Sequence, residues 1–317
     1  MADQALGLDV GGTKILAVRA DADGAVLARA QVPTPAEDAE ATLQAMAEVA
    51  RGLLTPHVRA VGVGAAGMVE HATGVLRFAP NLAWRDLGIA RRMRSELGLP
   101  CGLDNDANVA AYGELRLGAG RGRRHLLLLT VGTGIGGGII TDGRLYRGAH
   151  GFAAEIGHII VEPGGPRCGC GNQGCFEQVA SGGAIRRLGR EAVAAEPDSP
   201  LGRLVGGDAE AVTGELVTWA ARDGDPTALG ILREVGRRLG EGIAGLVNIL
   251  DPEVVVVGGG ASAAGELLLA PAREAFALAV EAPEHRPPVE ILPAELGPEA
   301  GAIGAALLAL AELGGGS

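Results

Sequence analysis

Along this chain, runs of apolar residues repeatedly stop at glycine. Residues 5–10 read ALGLDV, the pattern of a buried strand, and enter the turn GGTK. ILAVRA then reads as a second strand, DADG as a second turn and AVLARA as a third strand. Residues 125–147 repeat that plan as HLLLLTV, GTGIGG, GIIT, DG and RLYRG, which predicts a duplicated domain. A third strand-to-glycine transition, VVVVGGG at 254–260, follows the helical periodicity of 232–250, with Asp251-Pro252 as the break. Between the first two units the pattern predicts a helix over about 38–54, a strand over 59–65 and a loop containing Pro80-Asn81. A strand ending in Asp104-Asn105-Asp106 and a helix over about 107–117 come next. Residues 195–208 read as a surface loop, 298–312 as a helix apolar nearly all round and therefore buried, and the closing GGGS as disordered. Alternation of strands and helices predicts an α/β protein with helix-flanked sheets.

Composition narrows the function. With 317 residues the chain has room for two compact domains, and 47% hydrophobic with 21% charged residues is the balance of a folded soluble protein. No run of about 18 uncharged apolar residues occurs, so no membrane partner is expected. The first residues, MADQALGLDV, lack a signal-peptide pattern, which makes the cytoplasm the expected compartment. A net charge of −11 repels phosphate backbones and weighs against nucleic acid, yet allows a local phosphate site made of backbone amides. Scarce residue types gather at a few points. Lys14 is the one lysine, four of the five asparagines are Asn81, Asn105, Asn108 and Asn172, and three of the four cysteines lie between 168 and 175.

The first turn, Asp9-Val10-Gly11-Gly12-Thr13-Lys14, offers backbone N–H groups, a hydroxyl and a positive charge to an anion. Asp9, at the strand end, suits the water shell of Mg²⁺, which takes few carboxylates. Gly132, Thr133, Gly134, Gly136 and Gly137 form the equivalent turn of the second unit. Either turn alone is also what a tight hairpin needs; their matched placement favours a paired phosphate grip. Neither is a Walker A loop or a Rossmann fingerprint, because each leads into a strand rather than a helix.

Asn105 and Asp106 open a helix, where both residue types also serve as plain caps. A carboxylate there is favoured in its ionised form, so Asp106 is the candidate general base for a hydroxyl attacking a γ-phosphate. Glu155, His158 and Glu177, with the amides of Asn81 and Asn105 and the backbone around Gly67, offer the directional contacts that a polyhydroxyl ligand requires. His158 is followed by Cys168, Cys170 and Cys175 in CGCGNQGC, the ligand set of a tetrahedral structural zinc site, with a disulfide as the competing reading. Such a knot would fix Glu155 and Glu177 relative to each other, and His158 could turn its second nitrogen toward a sugar. Cys101 reads as an ordinary buried thiol.

These residues resemble the ROK family of repressors and sugar kinases, and within it the glucokinases of actinobacteria. The resemblance rests on DVGGTK (9–14), APN (79–81), NDAN (105–108), GTGIGGG (132–138), EIGH (155–158), CGCGNQGCFE (168–177) and VGGG (257–260). It implies the two-domain actin-like (ribonuclease H-like) ATPase fold with an interdomain cleft and a zinc knot. The smaller α/β domain would span 1–117, completed by a helix at 298–313, and the larger would span 118–297. It also implies phosphorylation of the glucose 6-hydroxyl from ATP with Asp106 as base, Gly259 and Gly260 at the adenosine, and a homodimer or homotetramer. GAAGMVEH (64–71) departs from the pattern, since many relatives have a proline before the glycine and an aspartate near Glu70. Mannose, fructose, N-acetylglucosamine or N-acetylmannosamine as acceptor, and polyphosphate as donor, are the neighbouring alternatives. A sugar-sensing repressor is the distant one, and about five residues before the first core strand are too few for a DNA-reading head.

Overall fold

The computed structural model describes residues 3–79 and 84–313. Asn81 and the closing GGGS lie outside the described residues. Strands β1 (Gln4–Val10), β2 (Lys14–Asp21) and β3 (Val26–Pro33) form an antiparallel meander. Helix α1 (Ala39–Arg51) returns the chain to β4 (Val58–Ala65), parallel to β1. A small antiparallel sheet of β5 (Met68–Glu70), β6 (Val75–Phe78) and β7 (Arg85–Leu87) follows. Then come α2 (Ile89–Leu97), β8 (Cys101–Asn105), parallel to β4, and α3 (Asp106–Leu117).

The second repeat begins with β9 (Leu126–Val131), β10 (Ile135–Thr141) and β11 (Arg144–Leu145). Helices α4 (Phe176–Ala180), α5 (Gly182–Ala195), α6 (Pro200–Leu204), α7 (Gly214–Arg222) and α8 (Pro226–Leu250) precede β12 (Val254–Gly258). The chain closes with α9 (Glu266–Ala279), β13 (Glu290–Pro293) and α10 (Ala300–Leu313). The sheet orders are β3-β2-β1-β4-β8 and β11-β10-β9-β12-β13, the same order once each repeat is counted from its own first strand. The duplication expected from the sequence is therefore present in the topology.

Two compact units result: residues 1–128, 138–154 and 294–317 in one, and 129–137 with 155–293 in the other. This division differs from the boundary expected at residue 117. β9 and β10 each run on from one unit into the other, so 118–128 and 138–154 fall with the first. Residues 195–208 are not an uninterrupted loop, because Ser199 caps α6 by accepting from Gly202 N and Pro200 starts the helix.

In the first unit, α10 lies on β1 and β4 and against α3. Its residues from Ala302 to Ala309 are all buried, as its uniformly apolar sequence requires. The approach is backbone to backbone. A methyl group on Gly7 would stand 1.8 Å from the Ala302 carbonyl oxygen, and one on Gly62 would stand 2.0 Å from that of Ala305. Bare positions on the inner strands thus let the C-terminal helix seat against the sheet that ends in Asp9 and Asn105. Among the described residues no helix is long and apolar enough to cross a membrane.

Candidate active site

The two glycine turns are braced in the same way. At the first, Gly11 N donates to Lys14 O at 3.0 Å and closes the hairpin. The Thr34 hydroxyl donates to Gly11 O at 2.8 Å and Thr34 N to Thr13 O at 3.1 Å. At the second, Gly132 N donates to Gly134 O at 2.9 Å. There the Ser181 hydroxyl donates to Thr133 O at 3.0 Å, and Gly182 N donates to Gly132 O at 2.8 Å. A planar trans peptide points its N–H opposite to its C=O. Pinning the carbonyls of Gly11, Gly132 and Thr133 from behind therefore turns the N–H groups of Gly12, Thr133 and Gly134 the other way, an arrangement able to receive an anion. Thr34 and Ser181 escape sequence reading because each lies far along the chain from the turn it braces.

The second turn is shorter than its glycine content suggests. β10 starts at Ile135, so Gly136 and Gly137 are strand residues and the turn is confined to 132–134. A methyl on Gly134 would lie 2.2 Å from Glu177 Oε2 and would displace that carboxylate. Within the second unit, the second glycine turn and the Glu177 carboxylate are thus immediate neighbours.

At the β8–α3 junction the cap and the candidate base are different residues. Asn105 is the N-cap, and its Oδ1 accepts from Ala107 N at 2.9 Å and Asn108 N at 3.3 Å. Its Nδ2 donates to Gly67 O at 3.1 Å, tying the 64–67 segment to the junction. Asp106 is left as the first helical residue, with Oδ1 accepting from Ala107 N at 2.9 Å. Surrounding protein raises the Asp106 carboxyl above the usual carboxylate range, while hydrogen bonds from Ala107, its own backbone and Asn105 pull the other way. Asp9 is pushed up to about 7, first by desolvation and then by the charge of Asp106, against the pull of Lys14. Asp9 and Asp106 thus sense each other, with the Lys14 charge acting on Asp9.

In the second unit the knot is assembled. Ligand atoms of His158, Cys168, Cys170 and Cys175 all lie within 4.8 Å of one another. Cys168 Sγ is 3.6 Å from His158 Nδ1, and Cys170 Sγ is 3.6 Å from Cys175 Sγ. Zinc bonds of about 2.3 Å to sulfur and 2.0 Å to nitrogen give tetrahedral S–S and S–N edges of roughly 3.8 and 3.5 Å. The residues fit that metal, and the disulfide alternative does not hold, because all four cysteines are free and the sulfur pair is well beyond bonding distance. Without metal, burial pushes the Cys168 thiol up to about 12, whereas the Asn172 backbone N–H lowers Cys170.

His158 uses Nδ1 toward the sulfurs and directs Nε2 toward Glu155, 4.0 Å from its Oε2. Glu177 lies in the first turn of α4, and its Oε1 accepts from Cys168 Sγ at 2.9 Å. The knot is thus joined directly to Glu177. Ala154, at φ 68, turns the chain into Glu155 in a conformation that costs a residue bearing a Cβ. Cys101 is buried, with its thiol pushed up by desolvation to about 12, as its sequence context suggests.

A cavity of about 600 Å³ in the second unit is lined by Gly132, Thr133, Gly182, Gly183, Trp219 and Gly260, among others. Of the residues expected at a nucleotide, Gly259 takes φ 86 at the end of β12 and Gly260 faces this cavity. Gly182, Gly183 and Trp219 were not singled out in the sequence. The half-exposed indole, on α7, reads in sequence as an ordinary surface residue.

The ROK family profile matches residues 5–312. A glucokinase of Streptomyces coelicolor is 42% identical over 307 residues, covering 96% of each chain. A glucokinase of Thermotoga maritima is 37% identical over 316 residues, covering 98% of each chain. The crystal structure of a ROK family glucokinase from Streptomyces griseus in complex with glucose and AMPPNP superposes with a TM-score of 0.86 at 43% identity, covering 96% of this chain and 99% of that one. A doubled strand order, braced glycine turns and a Cys₃His knot agree with that match over nearly the whole length: the chain belongs to the ROK family.

Proposed function

We propose that this protein is an ATP-dependent glucokinase, transferring the γ-phosphoryl group of ATP to the 6-hydroxyl of glucose. The observation that carries the reading is the arrangement of the β8–α3 junction, where Asn105 serves as the N-cap and the Asp106 carboxylate stands beside it on the first helical residue, with Oδ1 accepting from Ala107 N. The full-length likeness to bacterial glucokinases supports glucose as acceptor. The cavity beyond Gly132 and Thr133, large enough for a nucleoside and faced by Trp219, favours ATP over polyphosphate.

In the proposed reaction the glucose 6-oxygen attacks the γ-phosphorus as Asp106 takes its proton, and ADP departs with the bond to the leaving oxygen. The N–H groups of Gly12, Thr133 and Gly134 and the Lys14 ammonium hold phosphate oxygens in line. Mg²⁺ would neutralise phosphate charge, with Asp9 holding its water shell. Glu155, Glu177 and His158 Nε2 read sugar hydroxyls, joined by Asn81, Asn105 and the backbone at Gly67. Zinc on His158, Cys168, Cys170 and Cys175 serves structure alone. A zinc-bound thiolate cannot donate, so metal binding would release Glu177 Oε1 from Cys168 for another donor. The proposed setting is the cytoplasm, and the proposed assembly is a homodimer or homotetramer.

Asp106→Asn should lower kcat by roughly 100- to 1,000-fold while the glucose KM changes far less, because the lost group acts mainly in the transition state. Steady-state kinetics with ATP and glucose decide it; near-normal turnover by the Asn variant would remove Asp106 from the role.

Ionised Asp9 and Asp106 are required, and both are held above the ordinary carboxylate range, Asp9 at about 7. Activity should therefore fall as pH drops through that region, with the coupled pair titrating together. Added Mg²⁺ should move the acid limb of kcat/KM to lower pH, since the cation favours ionised Asp9. A limb that Mg²⁺ does not move belongs to some other group. The sign for metal-free stability is opposite. A raised carboxyl makes unfolding release a proton, so stability present at low pH is lost as pH rises toward about 7.

Cys170→Ser should release zinc and raise the glucose KM with little change in ATP KM, measured by metal content and initial rates. A metal-free variant with wild-type kinetics contradicts the orienting role of the knot.

A further inference from the structure

Within the first unit, four ionisable side chains that the reaction does not use form a closed ring beneath the catalytic junction. Asp104, the residue before Asn105, has a side chain only 4% exposed, and its Oδ2 accepts from Arg147 Nε at 2.6 Å. Arg147 Nη2 donates to Glu312 Oε1 at 2.8 Å. Glu312 Oε2 lies 3.3 Å from His71 Nε2. His71 Nδ1 lies 2.9 Å from Leu103 O and 3.5 Å from Asp104 Oδ2, which closes the ring. Both imidazole nitrogens face oxygen acceptors, an arrangement that only the doubly protonated ring satisfies. In agreement, the Glu312 hydrogen bond leads the causes that raise His71 above its ordinary value. Two carboxylates are then balanced by a guanidinium and an imidazolium.

The other oxygen of Asp104 points at the catalytic motif. Oδ1 accepts from Asn105 N and from Asn108 Nδ2, each at 2.8 Å. Those two residues stand on either side of Asp106 in the chain. Asn108 is 1% exposed, and its Oδ1 has no hydrogen-bond partner among the described residues, so the contact to Asp104 is what fixes its side chain. A charge buried as deeply as that of Asp104 is seldom worth more to stability than an apolar filling of the same space. Stability alone therefore does not account for placing a charge there, whereas control of the Asn105–Asn108 segment does.

We propose that Arg147 is a positioning residue for phosphoryl transfer: by neutralising and orienting Asp104 it fixes Asn105 and Asn108, and thereby the direction of the Asp106 carboxylate between them. This inference rests on Asp106 being the base. It also gives a task to Asn108, the last residue of the NDAN motif, which neither the sugar nor the phosphate contacts explain.

The test compares full-length, zinc-loaded wild type with Arg147→Met, Arg147→Lys, Asn108→Ala and Asp106→Asn, using glucose and ATP below the thermal unfolding of each variant. Arg147→Met should lower kcat on the order of ten- to a hundredfold, the scale of a misplaced reacting group, with ATP KM within about twofold. Arg147→Lys should recover part of the loss, because it neutralises Asp104 but cannot reach both carboxylates as a planar fork does. Asn108→Ala, which removes one arm without changing charge, should lower kcat in the same direction, and it decides the matter if Arg147→Met does not fold. Wild-type kcat in folded Arg147→Met or folded Asn108→Ala, beside an inactive Asp106→Asn, overturns the inference alone. So does an equal loss in the Met and Lys variants accompanied by a matching rise in ATP KM, which is general damage. Full activity of Asp106→Asn, or no phosphate transfer to any hexose by the wild type, overturns the assignment of the base and this inference with it.

Discussion

A carboxylate crowded by protein must remain able to ionise and must point at a substrate rather than at its own helix. On the proposed role of Asp106, that demand bears on the β8–α3 junction. Asn105 takes over the capping that Asp106 would otherwise perform, and the backbone N–H of Ala107 offsets part of the desolvation. Asp9, two strands away in sheet order, feels the same crowding and the charge of Asp106. The close seating of α10 on β1 and β4, possible because Gly7 and Gly62 carry no side chain, packs the sheet whose strand ends present both groups.

The second unit repeats the architecture and changes its use. The same strand order delivers a glycine turn whose carbonyls are pinned by a hydroxyl residue, Ser181 where the first repeat has Thr34. Backbone amides turned outward bind phosphate without demanding a basic side chain, which suits a chain of net charge −11. Where the first repeat carries Asp106, the second carries the Cys₃His knot, and the contact from Cys168 to Glu177 links the knot to the turn at Gly134.

Features fixed by local pattern were readable in the sequence. The buried strands ending in glycine, the Asp251-Pro252 break and the helix from Asp106 all lie where the apolar periodicity places them. The four knot residues were readable too, because their spacing is short. Contacts between distant segments were not. Thr34 and Ser181 look like unremarkable polar residues, and Arg147, Glu312 and His71 are brought to Asp104 only by the fold. The glycine content overstates the length of the second turn, because glycine marks a strand in a close-packed region as readily as a turn. Gly136 and Gly137 are strand residues, and a methyl on Gly138 beside them would lie 2.5 Å from Ala111 Cβ on α3.

The most direct measurement is a crystal structure of the protein with glucose and a non-hydrolysable ATP analogue. The account predicts the sugar 6-oxygen about 2.6–3.2 Å from an Asp106 carboxylate oxygen, the reach a proton acceptor needs. A sugar whose 6-hydroxyl lies beyond that reach, with Asp106 directed into packed protein, would contradict it.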